Sequence, residues 1–135
     1  MKKPLILILM IIFISSIAPN AYSGGGQMKW WKNRDIVAEL NLTSDQVNRI
    51  ESIFSSYKER IIALNSELTQ KEGELRRSIA NPDATQQEVL ALTDQVESIK
   101  GELRRLEVKM FLEIREVLSP QQRGKLHQIK ERYKK

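Results

Sequence analysis

Leu42-Thr43-Ser44-Asp45-Gln46 and Leu118-Ser119-Pro120-Gln121-Gln122 decide the fold of this 135-residue chain. Both stretches read Leu, then Ser or Thr, then two variable residues, then Gln, and they stand about 75 residues apart. The hydroxyl of an N-cap Thr43 or Ser119 accepts from the backbone N–H three residues on, and the Gln at that position reaches back to the cap's own N–H. Pro120 falls at the first helical position, where its missing N–H costs nothing. Leu42 and Leu118 precede the caps and are placed to staple onto the first turn. Each box therefore starts a helix whose entry angle is set by its cap.

Behind the first box, Val47, Ile50, Phe54, Tyr57, Ile61, Leu64, Leu68 and Leu75 alternate at spacings of three and four, interrupted by Lys71. That is a coiled-coil seam, and it predicts a helix from about Ser44 to Ala80. Asn81-Pro82-Asp83 ends it, because proline cannot continue a helix and disfavours helix in the residue before it. A second long helix is expected from about Thr85 to Val117, with Val89, Leu92, Val96, Ile99, Leu103, Leu106 and Met110 on its seam before a shift to Ile114 and Val117. Two such helices joined by a tight turn pack antiparallel, giving a hairpin roughly 50 Å long. The second box opens a short C-terminal helix with Leu126, Ile129 and Tyr133 on one face. A short amphipathic segment with Trp30, Trp31, Ile36, Val37 and Leu40 precedes the first box. No stretch alternates with the period of a strand, so the fold class is all-α: a long antiparallel helical hairpin with short N- and C-terminal helices.

If the hairpin turns near Pro82, facing residues have numbers that sum to about 165. Ile53, Ile62, Val108, Phe111 and Leu112 then fall off the seam, in the half far from the turn where both short helices attach. Large apolar patches are normally buried, so the short helices are expected to cover these residues; the alternative is that part of the patch stays open for a partner. The half nearer the turn is a two-helix rod with a thin core, for which burial against a second copy is expected. Gly73 and Gly101 are placed on the outward faces of the two helices, where a partner backbone approaches or the helix bends, unless they are simply tolerated.

Met1 to Ser23 have the layout of a secretory signal: Lys2 and Lys3, an uncharged apolar run from Leu5 to Ala18, then Ala21 and Ser23 before a cut at Gly24. The run is shorter than the ~20 residues that span a bilayer, so cleavage without stable membrane insertion is expected. The expected organisation is a signal peptide at 1–23, a flexible leader at 24–27 and one helical domain at 28–135. Exported to the periplasm, such a chain would carry a net charge of about +3, since two of the five excess positive charges belong to the signal. Acids and bases are interspersed, the pattern of solvated helix faces and not of a nucleic-acid footprint.

Zero cysteines exclude disulfide stapling, thiol redox chemistry and Cys-ligated metal. His127 is the only histidine, so no imidazole–thiolate pair or zinc-ligand spacing exists. Neither an enzyme, a cofactor nor a metal site is expected. Glu67, Glu72, Glu74, Glu102, Glu107, Glu113 and Glu116 read as surface carboxylates, and Asp45–Arg49, Glu67–Lys71, Glu72–Arg76 and Glu131–Lys135 as supporting pairs four apart. The doublets Arg76-Arg77 and Arg104-Arg105 occupy equivalent outward positions. They are either plain solvated surface or, with Ile62, Val108, Phe111 and Leu112, a surface for anionic, partly unfolded proteins.

The signal, the Trp-containing short helix, the hairpin and both boxes together resemble the Spy/CpxP (LTxxQ-motif) periplasmic chaperone family, with its zinc-resistance-associated and heavy-metal-sensor relatives. Leu42, Thr43, Gln46, Leu118, Ser119 and Gln122 match the motif, with Ser119 in place of the usual Thr. The resemblance implies cradle-shaped antiparallel homodimers of bent hairpins that act without ATP on unfolded or misfolded envelope proteins. It also implies a sensor-kinase partner for some members, and metal sensing through histidine-rich segments in others. This chain has no histidine-rich tail. The function expected is therefore a periplasmic chaperone or envelope-stress adaptor. The alternatives are a heavy-metal-responsive protein using oxygen ligands and a purely structural coiled-coil module.

Overall fold

The computed structural model describes residues 29–134; the expected signal at 1–23, the whole leader at 24–27, Met28 and Lys135 lie outside the described residues. Asn33, Thr43, Thr85 and Ser119 each stand one residue before a helix in extended backbone, and each side chain accepts from N–H groups of the first turn. These four caps open α1 (Arg34–Leu40), α2 (Ser44–Ala80), α3 (Gln86–Val117) and α4 (Pro120–Tyr133), behind a single 3₁₀ turn at Trp30–Lys32. The described residues form helices and no strand, so the chain is all-α. Thr85 and Glu88 form a third capping box, with Glu in the place of Gln, that the sequence reading does not include. α1 stops at Asn41, whose φ of 52° is left-handed, a conformation asparagine adopts more readily than most residues. α2 stops before Pro82, where the Asn81 side chain accepts from Asp83 N at 3.0 Å and closes the turn.

α2 and α3 lie antiparallel along one seam. Arg60 pairs with Glu102, Glu72 with Lys100 at 4.0 Å, and the Tyr57 hydroxyl donates to Glu113. These ties hold the register close to the one expected. Ile50, Ile61 and Leu64 of α2 meet Ile99, Leu103, Met110, Ile114 and Val117 of α3, with Trp31 and Leu118 in the same core. A second small core joins Ile36 and Leu40 of α1 to Ile129 of α4. No residue from 74 to 95 is buried, and Ile79 and Leu90 are exposed. The turn half of the rod is as thin as its sequence predicts.

Several expectations are corrected. The buried positions of α3 are Val96, Ile99, Leu103, Glu107, Met110, Ile114 and Val117, an unbroken run of three-four spacings. Glu107, only 3% exposed, takes the seam position expected for Leu106, which is half-buried. Between Leu103 and Met110 the period allows either residue, and Ile114 shares the heptad column of Glu107. The consecutive spacings of four that the sequence places at Leu106, Met110 and Ile114 fall instead at Ile99, Leu103 and Glu107, so the stripe shifts there and not after Met110. Tyr133, one turn beyond Ile129 at the end of α4, is exposed and adds nothing to the core. Among the described residues Asp45–Arg49, Glu67–Lys71 and Glu72–Arg76 form no ion pair; Lys71 turns to Glu74 at 3.2 Å instead. Gly73 is buried, because the Arg77 and Arg76 guanidiniums lie 3.3 and 3.8 Å from where its Cβ would stand. Gly101 has open space there.

Glu107 Oε1 is buried without a hydrogen-bond partner. An unpaired buried polar group costs about 1–3 kcal/mol, so Glu107→Leu, which keeps volume and period, is expected to stabilise the fold by that amount. Urea unfolding followed by helicity should show a higher midpoint with an unchanged slope. A lower midpoint would show that the carboxyl is engaged in the native protein.

Candidate functional site

The two motif boxes are not separate. Gln46 Oε1 accepts from Thr43 N at 3.1 Å, and Gln122 Oε1 accepts from Ser119 N at 2.9 Å, as capping boxes require. The two amides also face each other: Gln46 Nε2 donates to Gln122 Oε1 at 2.8 Å, and Gln122 Nε2 donates back to Gln46 Oε1 at 3.1 Å. Each Nε2 has one donor left, and each finds a carbonyl at the end of a helix. Gln46 reaches Val117 O, the last residue of α3, and Gln122 reaches Leu40 O, the last residue of α1, both at 3.1 Å. Those carbonyls are orphaned by helix termination. Every donor and acceptor site of both amides is thereby used.

This arrangement explains the residue type. Within a capping box Glu serves as well as Gln, and the unpaired box at Thr85 uses Glu88. A carboxylate at 46 or 122 would keep its cap but face a carbonyl and the other amide's oxygen with no proton to give. Leu42 and Leu118 flank the pair; Leu118 is buried in the main core and Leu42 packs partly against both cores. Sequence reasoning placed all six motif residues as structural and missed the contact between the boxes. The shared use of Gln was the available signal.

Near this junction the 3₁₀ turn is pinned to α2. Trp31 Nε1 donates to Glu51 Oε2 at 2.6 Å, and Lys29 Nζ lies 3.2 Å from Glu51 Oε1. The Trp31 ring stands 5.4 Å from Phe54, and Lys29 lies 4.5 Å above the Phe54 ring. The hydrogen bond from Trp31 first, and then Lys29 and Lys32, hold the Glu51 carboxyl below its ordinary value of 4.5 against a smaller opposing effect of burial.

The expectation that the short helices cover the off-seam patch holds only for Ile53, which is half-buried against the main core. Ile62, Val108, Phe111 and Leu112 remain 54%, 44%, 41% and 48% exposed. Val108, Phe111 and Leu112 line a cleft of about 600 Å³ between α3 and α4. Ile62 lies outside it on α2. Arg76, Arg77, Arg104 and Arg105 are all exposed and do not reach the cleft. The cleft instead takes Arg115 of α3 and Arg123, His127 and Lys130 of α4. Among the described residues no group of three or more His, Cys, Asp or Glu side chains is placed to hold a metal ion. None of the described helices is long and apolar enough to cross a membrane.

A paired-box helical hairpin with an open apolar face defines a class of small helical proteins. The sequence model of the heavy-metal-resistance family matches residues 5–125, and the chain belongs to that family, which is related to the Spy/CpxP and zinc-resistance-associated proteins. Comparison with curated proteins and with solved structures returned no match.

Gln46→Glu and Gln122→Glu are each expected to destabilise by about 2 kcal/mol, more than the ~1 kcal/mol typical of a lost N-cap in Thr43→Ala or Ser119→Ala. In a double-mutant cycle with alanine at 46 and 122, a coupling of at least about 1 kcal/mol is expected. Additive losses would show that the amides act only as local caps.

Because the folded pKa of Glu51 lies below the ordinary value, its contribution is complete above about pH 4.5 and fades as pH falls through the lower folded value. Acid should therefore loosen the Trp31 anchor, read as a shift in tryptophan emission. Glu51→Gln should be less stable at neutral pH and lose this part of the acid response. An unchanged acid limb in the variant would assign the response to another group.

Proposed function

We propose that the protein is a periplasmic, ATP-independent chaperone of the envelope-stress type, which holds unfolded or misfolded proteins on its open apolar face. The observation that carries this reading is the exposure of Ile62, Val108, Phe111 and Leu112 on a highly charged helical hairpin. Exposed apolar side chains bind non-native segments weakly, while the exposed Arg76, Arg77, Arg104 and Arg105 attract acidic chains from a distance. Flexible cationic stems add adaptable apolar contact. No catalytic chemistry is proposed, and the working unit is a homodimer in which the thin turn half is covered by a second copy.

The family description favours a second reading, a heavy-metal-responsive binding or sensor protein. The donor set does not fit a resident metal: His127 is a lone imidazole, and the described carboxylates form no cluster. Calorimetric titration with zinc or nickel separates the two readings.

Mature protein is expected to slow aggregation of an unrelated unfolded protein without nucleotide, as followed by light scattering. Changing the four arginines to glutamine should slow capture of an acidic client and flatten its salt dependence, with little change in melting temperature. No suppression for any client, together with tight stoichiometric metal binding, would overturn this reading in favour of the second.

A further inference from the structure

The groove between α3 and α4 has two unlike walls. On α3 the wall is apolar, made by Val108, Phe111 and Leu112, and Arg115 extends the same face by one turn. On α4 the wall is polar: Arg123, His127 and Lys130 stand at i, i+4 and i+7, one face of the helix. Trp30, Ile114, Leu118 and Leu126 belong to the lining too, and no Asp or Glu is part of it.

Arg123 is held in place, its Nε donating to the Arg115 carbonyl at 3.0 Å and its guanidinium lying 3.4 Å from the exposed Glu116. Among the described residues, Arg115, His127 and Lys130 have no ion pair within the chain. Lys130 is exposed by area, yet enough protein surrounds its ammonium for desolvation to lower its pKa. An anion beside it would offset that desolvation.

We propose that this groove seats an acidic amphipathic polypeptide segment, its apolar side chains against Val108, Phe111 and Leu112 and its carboxylates along Arg123, His127 and Lys130. The proposal rests on the chaperone reading and names the client segment and its seat. The distribution of donor groups, the cations Arg123 and Lys130 with the His127 imidazole between them, favours a polypeptide over a fatty acid. The three α4 residues extend along about 10 Å of helix at 1.5 Å per residue, so the complementary charges must also be spread along the ligand. A fatty acid has one carboxylate, at its end. A segment of about two helical turns with acids at i, i+4 and i+7 matches the α4 wall, and laying an amphipathic helix between two helices is a common recognition mode. The volume of about 600 Å³ lies within the range of sites that bind ligands.

The test is fluorescence anisotropy with a labelled peptide of roughly fifteen residues, Leu and Phe on one helical face and Glu along its edge. A lysine-for-glutamate version, a face-scrambled version and oleate serve as comparisons. The acidic facial peptide is expected to bind at least about tenfold tighter than the other two peptides at low salt. Phe111→Ser/Leu112→Ser and Lys130→Gln should each weaken it several-fold with helicity and melting unchanged, and Lys58→Gln, on the exposed face of α2, should not. Equal binding of acidic and basic peptides, or unchanged binding by both groove variants, would overturn the proposal. Stoichiometric oleate binding lost in Lys130→Gln, with no peptide bound, would overturn it in favour of a fatty acid. Light scattering with a basic unfolded client keeps the failures apart. Suppression there without peptide binding removes the groove alone, whereas absent suppression with peptide binding intact removes the chaperone reading and leaves the groove standing.

Discussion

Two side-chain amides, Gln46 and Gln122, hold four helix ends at one point. The C-termini of α1 and α3 and the N-termini of α2 and α4 each leave backbone groups that their own helices cannot satisfy. The paired amides answer one group from each, and they answer each other. Without them the chain would still contain capped helices, because Thr43 and Ser119 supply caps locally. It would lack the tie that brings residues 76 apart in sequence into one junction. The position of α1 and α4 on the long hairpin follows from that tie.

A junction at one end gives the hairpin a gradient. At the junction end, Trp31, Ile50, Met110 and Ile129 are almost wholly buried, and ion pairs such as Arg132 to Glu39 bind α4 to α1. Toward the turn the burial thins until none remains beyond Gly73 and Val96. Local opening follows buried contact, so the turn end is the low-stability end of the molecule. Glu107 lies partway along this gradient, on the seam, where an apolar residue would hold the helices together more firmly. The fold is thus tight where the four helix ends meet and looser where the hairpin offers surface.

The sequence revealed what is local. A capping box involves residues three apart, so Thr43, Gln46, Ser119 and Gln122 were legible, as was the helix break at Pro82. The seam was legible as a period but not as a single choice of residue, since Leu106 and Glu107 both fit between Leu103 and Met110 at three-four spacing. Contacts across the hairpin were not legible, because an amide's second partner depends on packing and not on spacing. The same limit explains the surface ion pairs: Lys71 and Glu72 chose Glu74 and Lys100 over the partners four residues away. The difference between Gln46 and Glu88 in otherwise equivalent boxes was the one trace of the long-range tie in the sequence.

The open face follows from how little apolar surface α4 has. Its buried side chain is Ile129, which joins Ile36 and Leu40 of α1, with Leu126 alongside. Gln122, fixed to Leu40 and Gln46, points the helix toward that partner. Apart from Leu126, the face that α4 has left for α3 carries Arg123, His127 and Lys130. Such a face cannot cover Val108, Phe111 and Leu112 without desolvating charge against hydrocarbon, a cost that Lys130, which has no ion pair among the described residues, does not recover. The expectation that short helices cover the patch failed on this conflict: one short amphipathic helix has one apolar face, and the junction had already committed it to α1. What remains is an apolar strip opposite a strip of donors with a cation at each end, each complementary to a different half of an acidic amphipathic chain.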